Sequence, residues 1–278
     1  MSGIVQRLRH FLSQRSVLVP LVGALGIAGL AVGLAFALGS GDSPGATPLP
    51  SSSGPQASPS VSPSRQVSPE GEHATVATTT VDQLEVFAEA GGGSPAQTLG
   101  RWSDYGQVRT LLVVGDDGTG AWLQVLLPLK PNGQTGWVRA SDVTLSTTTL
   151  VVNVDLSERR LELVDTALGP DASVVLEASV VIGAPETPTP VGNFYVTDPL
   201  DLQANPTGVY GAYALGLSGY SEVLATFNGA PPQIAIHGTN EPSQLGEAIS
   251  NGCIRVSNDV VLQLAGLLPL GTPVVIEE

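Results

Sequence analysis

Apolar positions fall into three regimes along the chain. Val17 to Gly39 is a continuous run of 23 residues without a charge. A helix rising about 1.5 Å per residue would carry that run across the roughly 30 Å hydrocarbon core of a bilayer. A transmembrane anchor is therefore expected over residues 17–39. From Ser40 to Glu72 the pattern dissolves, and 21 of 33 residues are Ser, Pro or Gly. Such a stretch buries too little apolar surface to fold, so a disordered linker is expected over residues 40–78. Its seven prolines stiffen it toward polyproline II, with a reach of about 100 Å.

Beyond the linker the period shortens to that of strands. The runs "DQLEVFAEA", "VRTLLVVG", "AWLQVLL" and "TGWVRA" are rich in Val, Leu and Trp. Turn signals at Asp116–Gly118 and Asn132–Gly133 separate them. Five short strands making a small β-barrel are expected over residues 79–147. Trp122 and Trp137 there either stack on a ligand or pack into the core. No metal-ligand spacing and no phosphate loop occurs in this stretch.

Residues 148–278 read as a mostly-β domain. Thr149 to Asp165 predicts a hairpin turning at "SER". "SVVLEASVVIG" predicts one long strand, and "TPTPVGNFYVTD", "IAIHGT" and "TPVVIEE" predict three more. Only "NDVVLQLAGLL" has a helical pattern, with Ser257 or Asn258 as its N-cap.

Charge orients this plan. Arg7, Arg9 and Arg15 precede the apolar run, and no acidic residue occurs before Asp42. The positive-inside rule places residues 1–16 in the cytoplasm as a tail and the remainder outside the cell membrane. A cleaved signal peptide with "AFA" at Ala35–Ala37 as its cleavage site is the competing reading. Signal h-regions of 7–15 residues favour the uncleaved anchor. The whole chain has a net charge of −14, which makes it a poor partner for nucleic acid.

One cysteine, Cys253, occurs in 278 residues. An exported chain with one unpaired thiol holds a buried inert cysteine, an intermolecular bridge or a reactive group. A thiol near pKa 8.5 becomes a good nucleophile when an imidazole takes its proton. His10 precedes the apolar run and His73 lies in the linker, so only His237, at the end of "QIAI", falls within a folded domain. Gly252 lets the backbone turn sharply beside the thiol, and N–H groups in such a turn can form an oxyanion hole. Arg255 either holds a carboxylate and supports a thiolate or is a solvated surface cation. Ser250 either braces the loop or is an ordinary turn serine. The Gly238 carbonyl or Thr239 can orient the imidazole, and Glu241 and Asp259 are near in the chain. The segment from Tyr210 to Ala230 is expected in the cleft wall. Tyr213 and Tyr220 within it are candidates for substrate contact or plain packing.

"IHGT", the sixteen residues from His237 to Cys253, "SNGCIR" and "TPVGNF" at Thr189–Phe194 together resemble the catalytic domain of L,D-transpeptidases, the YkuD family. The stretch "WLQVLLPLKPNGQTGWV" resembles bacterial SH3-like domains, through Trp122, its "PNG" turn and Gly136–Trp137. The first resemblance covers about Thr148 to Glu278. It implies that Cys253 is the nucleophile, His237 the base and Gly238 the carbonyl that orients the ring, with Arg255 lining the site. Many family members carry a second histidine directly before the Gly-Cys pair, where this chain has Asn251. That departure bears on rate, pH profile and acceptor choice.

The expected architecture is mostly β. A transmembrane helix and disordered linker precede a small SH3-like barrel, then a YkuD-like β-sandwich with a short helix after Cys253. The resemblance implies cell-wall peptidoglycan stem peptides as substrates, a Cys253 thioester, a 3→3 crosslink as product and no metal or organic cofactor. It also implies that carbapenem-type inhibitors acylate Cys253. Two alternatives are hydrolysis of the same thioester, making an L,D-carboxypeptidase, and a wall-binding protein whose catalytic domain has decayed.

Overall fold

The computed structural model describes residues 73–169, 173–227 and 229–278, all of which fall in the unit spanning 65–278. The expected tail, the anchor over 17–39 and nearly all of the linker lie outside the described residues. Among the described residues no helix is long and apolar enough to cross a membrane.

The amino-terminal part is built from β1 (Ala74–Thr79), β2 (Gln83–Val86), β3 (Gln97–Gly100), β4 (Thr110–Asp116), β5 (Trp122–Leu126), β6 (Thr135–Arg139) and β7 (Val143–Thr148). Five of them form a sheet in the order β6-β5-β4-β1-β7, and β2 pairs with β3. Alternation sets the faces, since successive strand residues point to opposite sides. In β5, Leu123 and Val125 are buried while Trp122 and Gln124 are only partly covered. Leu84, Leu111, Val125 and Val138 fill the core. Trp122 meets Phe87 edge-on at 5.0 Å, and the Arg139 guanidinium lies 4.6 Å from the centre of the Phe87 ring.

The sheet begins inside the stretch expected as linker. β1, "ATVATT", lies between β4 and β7 and pairs with both. Its side chains are too small to announce a strand, yet Ala74, Val76 and Ala77 are buried. Pairing on both edges supplies what the local pattern lacks.

The carboxy-terminal part contains β8 (Leu150–Asp155), β9 (Arg160–Asp165), β10 (Val174–Ser179), β11 (Ile182–Gly183), β12 (Gly192–Asp201), β13 (Tyr213–Tyr220), β14 (Gln233–His237), β15 (Ala248–Ser250), β16 (Ile254–Arg255), α1 (Asn258–Leu267) and β17 (Pro273–Glu277). Eight strands form one sheet in the order β10-β9-β8-β17-β12-β13-β14-β16, and β11 pairs with β15. The β8–β9 hairpin forms as expected. Its turn is fixed by the Asp155 carboxylate, which accepts hydrogen bonds from Glu158 N and Ser157 Oγ, both at 2.8 Å. α1 starts where its cap predicts: Ser257 Oγ accepts from Val260 N at 3.3 Å. Val261 and Leu264 bury its inner face against a core that includes Leu215, Leu217, Ile234 and Ile236.

The long strand expected from "SVVLEASVVIG" is broken. β10 ends at Ser179, and the chain then leaves β9. Val180 N donates to Arg159 O and Val181 N to Arg255 O, both at 2.9 Å, before β11 joins β15. The apolar run is continuous, but its hydrogen-bond partners change midway.

The two parts share a tight seam. Tyr195 of β12 is fully buried within the amino-terminal core. Asn132 bonds the Tyr220 backbone twice, accepting from its N at 2.9 Å and donating to its O at 2.8 Å.

Candidate active site

Strand pairing brings the thiol and the imidazole to one face. β14 and β16 run parallel, with Ile236 beside Ile254 and His237 beside Arg255. Ile234, Ile236 and Ile254 point into the core. Alternation therefore puts Gln233, Ala235 and His237 on the other face. Cys253 lies one step before Ile254, and its sulfur takes a hydrogen bond from the Ala235 backbone. Ala235 is two residues, about 7 Å of strand, from His237.

The loop before Cys253 is held by one hydroxyl. Ser250 is buried. Its Oγ donates to Cys253 O at 2.6 Å and accepts from Gly252 N at 3.1 Å, while its carbonyl accepts from Thr187 Oγ1 at 2.9 Å. Gly252 has φ +105°, a conformation that side-chain-bearing residues rarely adopt. The Gly252 N–H, expected as an oxyanion donor, is directed instead to the Ser250 hydroxyl. Asn251 is exposed on the loop.

His237 is buried, at 3% exposure. Its Nδ1 lies 2.6 Å from Gly238 O, a geometry in which Nδ1–H donates to the carbonyl. The Tyr210 ring packs edge-on against the imidazole at 5.0 Å. Gly238 fits only as glycine: an added Cβ would come within 2.1 Å of Asn258 Oδ1. That same oxygen accepts from Ala212 N at 3.0 Å. Thr239 is buried, and its hydroxyl accepts from Glu241 N at 3.0 Å.

Burial lowers the His237 pKa to about 4, aided by the Arg255 charge and opposed by the Gly238 and Tyr210 backbones. The ring is therefore neutral at neutral pH. Cys253 is half-buried as a residue, but its sulfur is enclosed. Burial pushes the thiol up, while the Ala235 backbone and Arg255 pull it down. At rest the two are a thiol and a neutral imidazole on one face of the sheet, with the Arg255 charge acting on both. Arg255 Nη1 lies 3.5 Å from Gln244 Oε1, and its buried Nε has no partner among the described residues. That leaves donor capacity for a ligand carboxylate or carbonyl.

Tyr213 and Tyr220 part company. Tyr213 packs at the edge of the main core, and its carbonyl accepts from Gly238 N at 3.0 Å. Tyr220 lies at the seam, its hydroxyl donating to Pro128 O at 3.3 Å. It also lines a groove of about 380 Å³ with Pro128, Lys130 and Pro231. Sequence reasoning gave Asn258 only as a possible helix cap and Tyr210 only as the start of an expected cleft-wall segment, and it missed Ala235. No local pattern marks their part in the site, because each acts through a backbone or ring contact that only the sheet brings about. Among the described residues no group of three His, Cys, Asp or Glu side chains is placed to hold a metal ion.

The family match coincides with this sheet. The YkuD family, described as the L,D-transpeptidase catalytic domain, matches residues 149–276. The likeness is thus between residues 149–276 and that family's catalytic domain. The chain is 40% identical over 97 residues to YkuD of Bacillus subtilis, covering 35% of this chain and 50% of that protein. It is 41% identical over 95 residues to YkuD of Bacillus licheniformis, covering 34% and 48%. Both are provisionally named as L,D-transpeptidases, and the chain spans about half the length of each. Among solved structures, the catalytic domain of the Enterococcus faecium L,D-transpeptidase is 25% identical, covering 46% of this chain and 96% of that one, with a TM-score of 0.32.

Proposed function

We propose that residues 149–276 form a YkuD-type domain and act as a peptidoglycan L,D-transpeptidase, with Cys253 as nucleophile and His237 as general base, then acid. The observation that carries this is the β14–β16 pairing, which sets the chain's one thiol beside Ala235, two strand positions from His237, the one imidazole of residues 148–278. Cys253 Sγ attacks the carbonyl of the third stem residue, the L-centre of a diamino acid. The S–C bond forms as the amide C–N bond breaks. His237 takes the thiol proton and delivers it to the departing D-Ala amine. The side-chain amine of a neighbouring stem then attacks the thioester. A new amide forms, the S–C bond breaks, and the amine proton returns to sulfur through His237.

Resting protonation supports this order. A thiol kept protonated by burial and a ring kept neutral near pH 7 favour proton transfer in step with attack over a standing ion pair. Arg255 is then the cation that meets the developing negative charge. We further read residues 79–147 as an SH3-like module and residues 17–39 as an anchor that holds the enzyme outside the membrane.

The test is the mass of products made from a defined tetrapeptide stem, with and without an acceptor stem. Wild type should release D-Ala and yield the crosslinked dimer, while Cys253→Ala and His237→Ala should yield none. Release of tripeptide alone would identify a hydrolase. No product together with no covalent carbapenem adduct at Cys253 would overturn the enzymatic reading.

A further inference from the structure

The loop from Trp102 to Val108 belongs to the amino-terminal part, yet it is fixed to the carboxy-terminal sheet. Trp102 and Val108 close it as an isolated bridge, and Arg109 braces it by donating to Gly100 O at 2.7 Å and Trp102 O at 3.0 Å. Within it, Ser103 Oγ accepts from Tyr105 N at 3.3 Å and Gln107 N at 3.1 Å. The same hydroxyl donates to the carboxylate of Asp198, a buried residue of β12. One serine thus shapes the turn and ties it to the other half of the molecule.

That tie lands on the site's own row of the sheet. Asp198 pairs with Gly216, and Gly216 pairs with Ala235, the residue whose backbone bonds the Cys253 sulfur. Asp198, Gly216 and Ala235 are opposite one another, so their side-chain positions share a face. Gly216 confirms the side: a Cβ there would lie 3.2 Å from Asp198 Cβ and 3.3 Å from Gln233 Nε2. Between Asp198 and Cys253, three strand spacings or roughly 14 Å, the row holds Gly216, which is buried beneath the Gln233 side chain where its Nε2 donates to Thr197 Oγ1 at 3.1 Å, and Ala235, which is partly exposed. Tyr105 stands two residues beyond Ser103, at the tip of the tied loop, and is 38% exposed. The charges of Asp198, of Asp104 and, once it ionises, of Cys253 act on its phenol. Among the described residues its hydroxyl has no hydrogen-bond partner. Burial, then the Asp198 charge, pushes that phenol up, so it remains a donor throughout the neutral range.

We propose that the amino-terminal part completes the cleft: the Ser103–Gln107 loop is its wall, and Tyr105 contacts the substrate by donating its phenolic hydrogen to a backbone carbonyl of the acyl-donor peptide held at Cys253. This rests on the function proposed above for the identity of the peptide, but not for the wall itself. One wall carries the nucleophile with Arg255, and the partly exposed Ala235 is the small residue at its foot. The opposite wall then comes from a segment about 150 residues earlier in the chain, outside the region that the YkuD family covers.

Two readouts on the full chain test this. Because Cys253 is the only cysteine, alkylation by a bulky maleimide reports access to its sulfur without any turnover. Tyr105→Ala should speed that labelling several-fold, Ser103→Ala should do so in the same direction, and Tyr105→Phe should leave it unchanged. With the tetrapeptide donor, Tyr105→Phe should raise KM by about fivefold with kcat nearly unchanged, the loss expected for one hydrogen bond. Labelling rates identical in wild type, Tyr105→Ala and Ser103→Ala would overturn the wall. A KM unmoved by Tyr105→Phe would overturn the contact. Faster labelling in the alanine variants, with a wild type that makes no product, would uphold the wall and sink the proposed reaction instead.

Discussion

Tyr195 starts in the carboxy-terminal sheet and ends in the amino-terminal core, where its hydroxyl donates to Leu126 O at 3.2 Å. It is fully buried, and its backbone N donates to Ser218 Oγ at 3.1 Å. A large aromatic side chain shared between two cores makes each half depend on the other.

The two halves should therefore unfold together. All three tryptophans, Trp102, Trp122 and Trp137, lie in the amino-terminal part, and the only cysteine lies in the other. Tryptophan fluorescence and Cys253 alkylation, followed across one urea titration, should show coincident midpoints. Tyr195→Ala should lower both midpoints together, through a stability loss of about 3–5 kcal/mol, the usual cost of emptying a large aromatic site. A fluorescence transition that shifts while the alkylation transition stays put would show that the halves are independent.

Acid should weaken the fold through His237. The ring titrates near 6.5 when unfolded and at about 4 in the folded chain. Between those values the unfolded state binds more protons. The stability that this group supplies is thus fully present above pH 6.5 and is lost as pH falls toward 4, a change of about 3 kcal/mol. The urea midpoint of wild type should fall more between pH 7 and pH 4.5 than that of His237→Asn. Equal falls would mean the ring is not held neutral by burial.

Gly238→Ala should damage the site from beneath. An added Cβ meets Asn258 Oδ1 at 2.1 Å and Ala212 N at 3.1 Å. Relief requires moving either Asn258, the first residue of α1, or the end of β14 that carries His237. We expect a loss of about 1–3 kcal/mol together with slower adduct formation at Cys253. Unchanged stability and unchanged adduct formation would contradict the close packing.

Ser250→Ala should separate loop order from binding. Its hydroxyl joins Cys253 O to Gly252 N, so the variant leaves a buried donor and a buried acceptor unpaired. A cost of about 1–3 kcal/mol follows, with kcat falling more than KM because the loop carries the sulfur. A change confined to KM would indicate that Ser250 touches substrate directly.

Sequence alone determined the local features. Alternating Val and Leu in "LVVNVD" and "RLELVD" fixed a hairpin, because each strand buries one face and Asp155 closes the turn. Ser257 fixed the start of α1, because its hydroxyl caps a free N–H. The candidacy of Cys253 with His237 was also legible, since residues 148–278 hold one thiol and one imidazole, and so were the "IHGT" and "SNGCIR" motifs. Long-range geometry was not. β1 was hidden in the linker because its burial depends on neighbours on both edges. The break after Ser179 came from a change of partner that no hydrophobic run records. Ser103 and Asp198 are 95 residues apart, and nothing in the local pattern of either points to the other. The lowered pKa of His237 belongs to the tertiary structure as well: the sequence supplies an imidazole, but only its burial in the sheet and against the Tyr210 ring removes the water that would stabilise its charged form.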